Sequence, residues 1–123
     1  MERKTILIAE DEAVNRIYFS RILGKEGLLV DEASNGKEAV TKALEKNYDL
    51  ILMDLKMPLL GGIEATVAIR KAESSRHTPI IALTSYSYPE DQERCRVAGM
   101  DDFLSKPLNN RLLMDTVHRF LKI

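Results

Sequence analysis

Apolar residues along this chain come in short unbroken runs separated by stretches of helical period, and that alternation sets the expected fold. Thr5-Ile6-Leu7-Ile8-Ala9 is one run, and it stops abruptly at Glu10-Asp11-Glu12. Leu50-Ile51-Leu52-Met53 is another; it ends on Asp54, and Pro58 behind it keeps the segment from continuing as a regular strand. Pro79-Ile80-Ile81-Ala82-Leu83 ends on Thr84-Ser85, with its proline at the start, where no ladder donor is lost. A run from Leu28 to Val30, continuing toward Ala33, and a short one at Phe103-Leu104 complete the set. Runs of this length bounded by turn residues fit strands buried on both faces.

Between these runs the period turns helical. Over residues 13–25, Val14, Tyr18 and Ile22 share an arc with Ile17 beside it, while Phe19 and Leu23 lie on a neighbouring arc. The combined arc is wider than one core face needs, which leaves Phe19 and Leu23 available for a partner or for wide burial. Gly27 suits the left-handed stop of that helix. Asn35-Gly36 turns the chain into a helix over residues 37–46, with Ala39, Val40, Ala43 and Leu44 as its buried face. Gly61-Gly62 leads into a helix over residues 63–72; the pair matches neither glycine-rich phosphate-loop pattern and reads as a turn. Pro89-Glu90-Asp91 suits the first turn of a helix that reaches Ala98 and stops at Gly99. Asn109 or Asn110 caps a last helix to about Lys122, striped by Leu112, Leu113, Val117, Phe120 and Leu121. Five strands alternating with five helices predict an α/β fold: a parallel sheet, right-handed crossovers and helices on both faces.

Length and composition narrow this further. A chain of 123 residues is expected to form a single domain over residues 1–123. With 18 basic and 19 acidic residues its net charge is -1, so no global field draws it to nucleic acid or to an anionic membrane. Cys95 is the only cysteine, which excludes an intramolecular disulfide and is expected to be a packed thiol. No apolar run has the length of a membrane span, and Met1-Glu2-Arg3-Lys4 leads into a strand rather than a signal peptide. A cytosolic setting is expected. No basic patch or DNA-binding helix pair follows the fifth helix, so direct contact with nucleic acid is not expected.

Taken alone, Asp54 reads equally as a turn residue or as an acid facing a ligand. The other strand ends change that, because Glu10, Asp11, Asp54 and Thr84 would meet at the carboxyl edge of the sheet, with Lys106 arriving after the fifth strand. Crowded carboxylates raise one another's pKa unless a cation neutralises them. Magnesium suits the set better than calcium, since one or two carboxylates, water and a phosphate oxygen form its habitual shell. His77 and His118 lie at no strand end and are expected at the surface or in packing. A carboxylate, a hydroxyl and a lysine around magnesium make a phosphoryl site: Asp54 as nucleophile, with Thr84 and Lys106 meeting charge on the transferring oxygens.

These residues resemble the receiver domains of two-component response regulators. The acidic pair Glu10-Asp11, the phosphoacceptor Asp54, the switch hydroxyl Thr84, the switch aromatic Phe103 and the Lys106-Pro107 pair, with its usually cis bond, all have counterparts there. Val14-Asn15-Arg16, Asn35-Gly36-Lys37-Glu38-Ala39 and the segment from Gly99 to Leu108 look most like receivers of hybrid sensor histidine kinases. The resemblance implies a flavodoxin-like doubly wound fold with five strands in the order 2-1-3-4-5. It implies that Asp11, Asp54 and the backbone carbonyl of Lys56 ligate magnesium, with Glu10 helping through water. It further implies phosphotransfer from a histidine kinase or histidine phosphotransfer domain, and a switch at Thr84 and Phe103 that alters the face of the fourth helix, fifth strand and fifth helix for a downstream effector.

Three features depart from the family's commonest pattern. Leu60-Gly61 stands where a Met-Asp pair is frequent, and Glu12 where Asn is frequent. Lys56 and Tyr86 occupy the second positions after Asp54 and Thr84, where the resemblance implies side chains that flank the path of the attacking water, so both are expected to tune the lifetime of the phosphoryl group. A phosphohydrolase with the same nucleophile would need an acid at position 56, and a flavodoxin proper would need a Ser- and Thr-rich first loop; neither is present. A degenerate receiver that only docks is disfavoured by the intact Asp54, Thr84 and Lys106. The expectation is a phosphoacceptor signalling domain rather than an enzyme, free in the cytoplasm or the cytoplasmic part of a larger membrane-associated kinase.

Overall fold

A computed structural model of the chain describes residues 3–73, 76–85 and 89–123. The elements follow in strict alternation: β1 (Thr5–Ala9), α1 (Ala13–Lys25), β2 (Leu29–Ala33), α2 (Gly36–Glu45), β3 (Leu50–Asp54), α3 (Gly62–Ala72), β4 (Ile80–Thr84), α4 (Pro89–Ala98), β5 (Asp102–Ser105) and α5 (Asn110–Leu121). All neighbouring strands pair in parallel, in the order β2-β1-β3-β4-β5. This is the flavodoxin-like order. The chain reverses direction across the sheet after β2, so β1 and β3 become central and their carboxyl ends flank the switch point where such sheets bind ligands.

β1, β3 and β4 are buried along their whole length because each carries apolar side chains to both faces. One layer gathers Ile6, Ile8, Leu50, Leu52, Ile81 and Leu83 under α1 and α5. The other gathers Leu7, Ile51, Met53, Ile80 and Ala82 under α2, α3 and α4. Each fully buried Leu or Ile side chain contributes about 1.5–3 kcal/mol, so the central strands hold the sheet rigid beneath the loops at its edge.

Local signals end the helices where sequence chemistry requires. The Asn35 side chain accepts the Glu38 amide, and that of Asn109 accepts the amides of Arg111 and Leu112. Gly27 and Gly99 take φ of +85° and +107°, the left-handed backbone that stops α1 and α4. Cys95 is buried, and burial pushes its thiol pKa up, consistent with a packed group. His77 pairs with Asp101 and His118 with Glu26, both away from the carboxyl ends of the strands.

The helical faces differ from expectation in three places. In α1, Phe19 and Leu23 are the core residues, whereas Val14, Ile17 and Tyr18 are 79%, 44% and 47% exposed. Phe19 and Leu23 join the layer with Ile6 and Ile8, and Tyr18 leans outward to donate to Asn110 Oδ1 at 3.0 Å. Periodicity identifies two arcs but not which of them the preceding loop rotates toward the sheet. Leu44 in α2 and Leu112 in α5 are also exposed, because Ala39 and Leu113, respectively, occupy the core-facing line of each helix.

Candidate functional site

Parallel pairing brings the carboxyl ends of β1, β3, β4 and β5 to one edge, and the polar residues that follow each run converge there. Asp54 closes β3, aligned with Leu83 of β4, and Thr84 closes β4 with its side chain buried. Glu10 follows β1 and is fixed by its own amide, which donates to the Ala33 carbonyl at 3.0 Å. Lys106 leaves β5 with its amide on the Thr84 carbonyl at 2.7 Å, and its bond to Pro107 is cis.

From there the Lys106 ammonium reaches back across the edge. It donates to Glu10 Oε1 at 2.8 Å and to Asp54 Oδ2 at 3.2 Å. Asn15 of α1 donates to the same Glu10 Oε1 at 3.1 Å. Glu10 Oε1 therefore holds two donors, while Oε2 is buried without a hydrogen-bond partner among the described residues. The Lys56 amide lies 3.4 Å from Asp54 Oδ1, and the Lys56 side chain is exposed.

One ammonium does not balance three carboxylates. Carboxylate oxygens of Glu10, Asp11 and Asp54 lie within 4.8 Å of one another, with Glu10 and Asp54 buried and Asp11 exposed. Burial, then the hydrogen bond and negative charge of Glu10, push the Asp54 pKa up to about 7 against the pull of Lys106. Burial acts the same way on Glu10, but its bonds with Asp54, Lys106 and Asn15 outweigh it and hold its pKa below the usual value. Burial likewise opposes the Lys106 charge, yet Glu10 and Asp54 together raise its pKa. Two buried acids this close resist being ionised together unless positive charge beside them offsets their repulsion.

The donor set is all oxygen, and the open Oε2 of Glu10 is an acceptor waiting for a positive charge. Both features fit a hard divalent ion, and a few carboxylates beside an open cleft suit magnesium better than calcium. Phe103 is half-buried in the layer containing Ala82, Cys95 and Met100, and it stands opposite Ala82 where β5 pairs with β4. Tyr86, expected to tune the lifetime, lies outside the described residues.

Sequence reasoning missed two supports of this site. The sequence pattern marks Gly62 only as part of a turn, yet a Cβ there would lie 2.2 Å from the Asp54 carbonyl oxygen, so α3 can start against β3 only with glycine. The second is Arg16, whose Nη1 donates to the Glu10 carbonyl at 2.9 Å. A basic residue early in a helix behind an acidic loop was the available signal.

Fold and cleft together define a phosphoacceptor module of signalling. The family model described as "Response regulator receiver domain" matches residues 6–118, and the chain belongs to that family. It is 40% identical over 120 residues to "Hybrid signal transduction histidine kinase I" of Dictyostelium discoideum, covering 92% of this chain and 7% of that protein. The chain thus spans a small fraction of the hybrid kinases it matches. Among solved structures, the receiver domain of a Pseudomonas aeruginosa PAO1 sensor histidine kinase, with magnesium coordinated in its active-site cleft, is 38% identical and superposes with a TM-score of 0.90, over 99% of this chain and 100% of that one. The receiver domain of the Saccharomyces cerevisiae response regulator Ssk1, solved with the histidine phosphotransfer protein Ypd1, is 31% identical with a TM-score of 0.88, over 96% and 88% of the two chains. Among the described residues no helix is long and apolar enough to cross a membrane.

Proposed function

We propose that residues 1–123 act as one receiver unit in which Asp54 takes a phosphoryl group from a phosphohistidine. The observation that carries this reading is the Lys106 ammonium bonded at once to Asp54 and Glu10, in an edge where a third carboxylate, Asp11, completes the cluster. In the transfer, the phosphorus–nitrogen bond breaks as a phosphorus–oxygen bond forms to an ionised Asp54 oxygen, and the imidazole nitrogen leaves with the electron pair. Lys106 then meets charge on the phosphoryl oxygens, and Thr84, buried at the adjacent strand end, offers a hydroxyl. Asp11, Asp54 and the Lys56 carbonyl would hold magnesium, with Glu10 acting through water. When bound, that ion neutralises the crowded acids and the incoming phosphoryl charge.

Phosphorylation then draws Thr84 toward the phosphoryl group and Phe103 further inward, shifting the population of the face made by α4, β5 and α5. The donor is a histidine kinase or a histidine phosphotransfer domain, in line with the complex formed by the yeast relative. The domain carries the signal without turning over a substrate, alone or within a larger hybrid kinase, in a cytoplasmic setting.

The test is mass measurement after incubation with a small acyl phosphate donor and magnesium. The unaltered chain should gain one hydroxylamine-labile phosphoryl group and Asp54→Asn none; equal labelling of both would overturn the reading. The Lys56 and Tyr86 side chains together shield the acyl phosphate from water; timing the loss of that label in Lys56→Ala and Tyr86→Ala tests this, and unchanged half-lives would remove it.

A further inference from the structure

The loop that carries the acids has an unusual mechanical problem. Glu10, Asp11 and Glu12 are three consecutive carboxylates, and α1 begins behind them with no side-chain cap on Glu12. Negative charges side by side repel, and an uncapped first turn leaves amide donors without a local partner. Magnesium demands near-ideal octahedral placement of its oxygens, so a loose loop is a poor ligand set.

Arg16, one turn into α1, spans this loop from below. Its Nη1 donates to the Glu10 carbonyl at 2.9 Å and to the Asp11 carbonyl at 3.5 Å. Its Nε bonds Glu32 Oε1 of β2 at 3.0 Å, and the side chain is only 18% exposed. The planar guanidinium thus joins the backbone of two acidic residues to the neighbouring strand, a geometry an ammonium cannot reproduce. Asn15 completes the support by holding Glu10 Oε1 and leaving Oε2 as the open oxygen.

We infer that Arg16, anchored by Glu32, is a positioning residue that sets the backbone of Glu10 and Asp11 for the cation. This rests on the magnesium reading above. A plain α1–β2 tether would affect melting alone. The Arg16 charge has the opposite sign of effect to its placement: a cation so close weakens magnesium binding by repulsion, so losing the charge alone would tighten it.

The experiment is a calorimetric magnesium titration of the full chain and of Arg16→Gln, Arg16→Lys and Glu32→Ala, with amide hydrogen exchange measured on the metal-free proteins. Arg16→Gln should bind magnesium about tenfold more weakly, and its Asp11 and Glu12 amides should exchange faster without metal. Arg16→Lys keeps the charge but loses the fork, and should stay nearer to Arg16→Gln than to the unaltered chain. Should Arg16→Gln fail to fold, Glu32→Ala decides, since it keeps the guanidinium and removes the oxygen that anchors it; weakened binding together with faster exchange of the Asp11 and Glu12 amides supports the inference. Unchanged or tighter binding in the folded variants, or full recovery by lysine, overturns it while leaving the magnesium reading intact. An unaltered chain that binds no magnesium removes both.

Discussion

At the scale of single residues, the site depends on positions that hold backbone as much as on those that hold charge. Gly62 is the sharpest case. Its amide donates to the Leu55 carbonyl at 2.9 Å, and the place a Cβ would take is already filled by the Asp54 carbonyl. Gly62→Ala must push α3 away from β3 or twist the peptide after Asp54. Overpacking of this kind costs about 1–3 kcal/mol, and here the displacement falls on the Asp54 peptide. Denaturant melts of Gly62→Ala should show that loss together with reduced labelling of Asp54, and a variant equal to the parent in both would refute the close approach. The sequence displayed two adjacent glycines but not which of them faced a carbonyl, because that contact lies between α3 and a strand end and leaves no periodic trace. The polar partners were legible for the opposite reason: Glu10, Asp54 and Thr84 each follow an apolar run directly, and Lys106 comes just past Phe103-Leu104 and Ser105, so strand topology alone aligns them.

At the scale of elements, strand positions were readable because a buried parallel strand is apolar on both faces and has no orientation to mistake. Helices were readable in extent but not always in rotation, and α1 shows why that matters. Val14, Ile17 and Tyr18 form an exposed apolar face on the helix that borders the cleft, and Asn15 of the same helix touches Glu10. On the proposed function, a phosphohistidine would reach Asp54 only if its protein covered the rim of that cleft, so a histidine phosphotransfer partner would rest on neighbouring surface. Ile17→Glu places a charge in that surface without touching Phe19 or Leu23 in the core. Transfer from a phosphorylated histidine phosphotransfer domain should slow by about tenfold, the effect of about 1.4 kcal/mol at an interface, while labelling by a small acyl phosphate stays at the parental rate. Equal slowing with both donors would place the defect in the site instead, and no slowing with either would remove α1 from the docking surface.

At the scale of the whole molecule, the sheet edge opposite the cleft is closed by a second polar cluster that the strand pattern did not announce. Arg70 of α3 donates to the Gly99 carbonyl at 2.8 Å and the Thr78 carbonyl at 2.7 Å, and it pairs with Glu73 at 2.8 Å and Asp101 at 3.0 Å. Asp101 in turn accepts the Ile80 amide and contacts His77, so one guanidinium ties α3 to the entries of β4 and β5. Its residues lie scattered between elements, and only the tertiary fold assembles them. Burial pushes the Glu73 carboxyl up, but the Thr78 amide, at 2.9 Å, and Arg70 outweigh it and hold the pKa below 4.5. A depressed folded-state pKa means that Glu73 contributes stability above pH 4.5, and that this contribution fades as pH falls through the folded value. Glu73→Gln keeps the shape and one acceptor but loses the charge, so at neutral pH it should be less stable by about 1–2 kcal/mol, the scale of one charged hydrogen bond. The gap should narrow steadily below pH 4.5 as the parental carboxylate takes up its proton, other acids contributing equally to both proteins. Denaturant midpoints measured across that range check the sign: a gap that stays constant or widens in acid would show that the carboxylate charge is not what closes this edge.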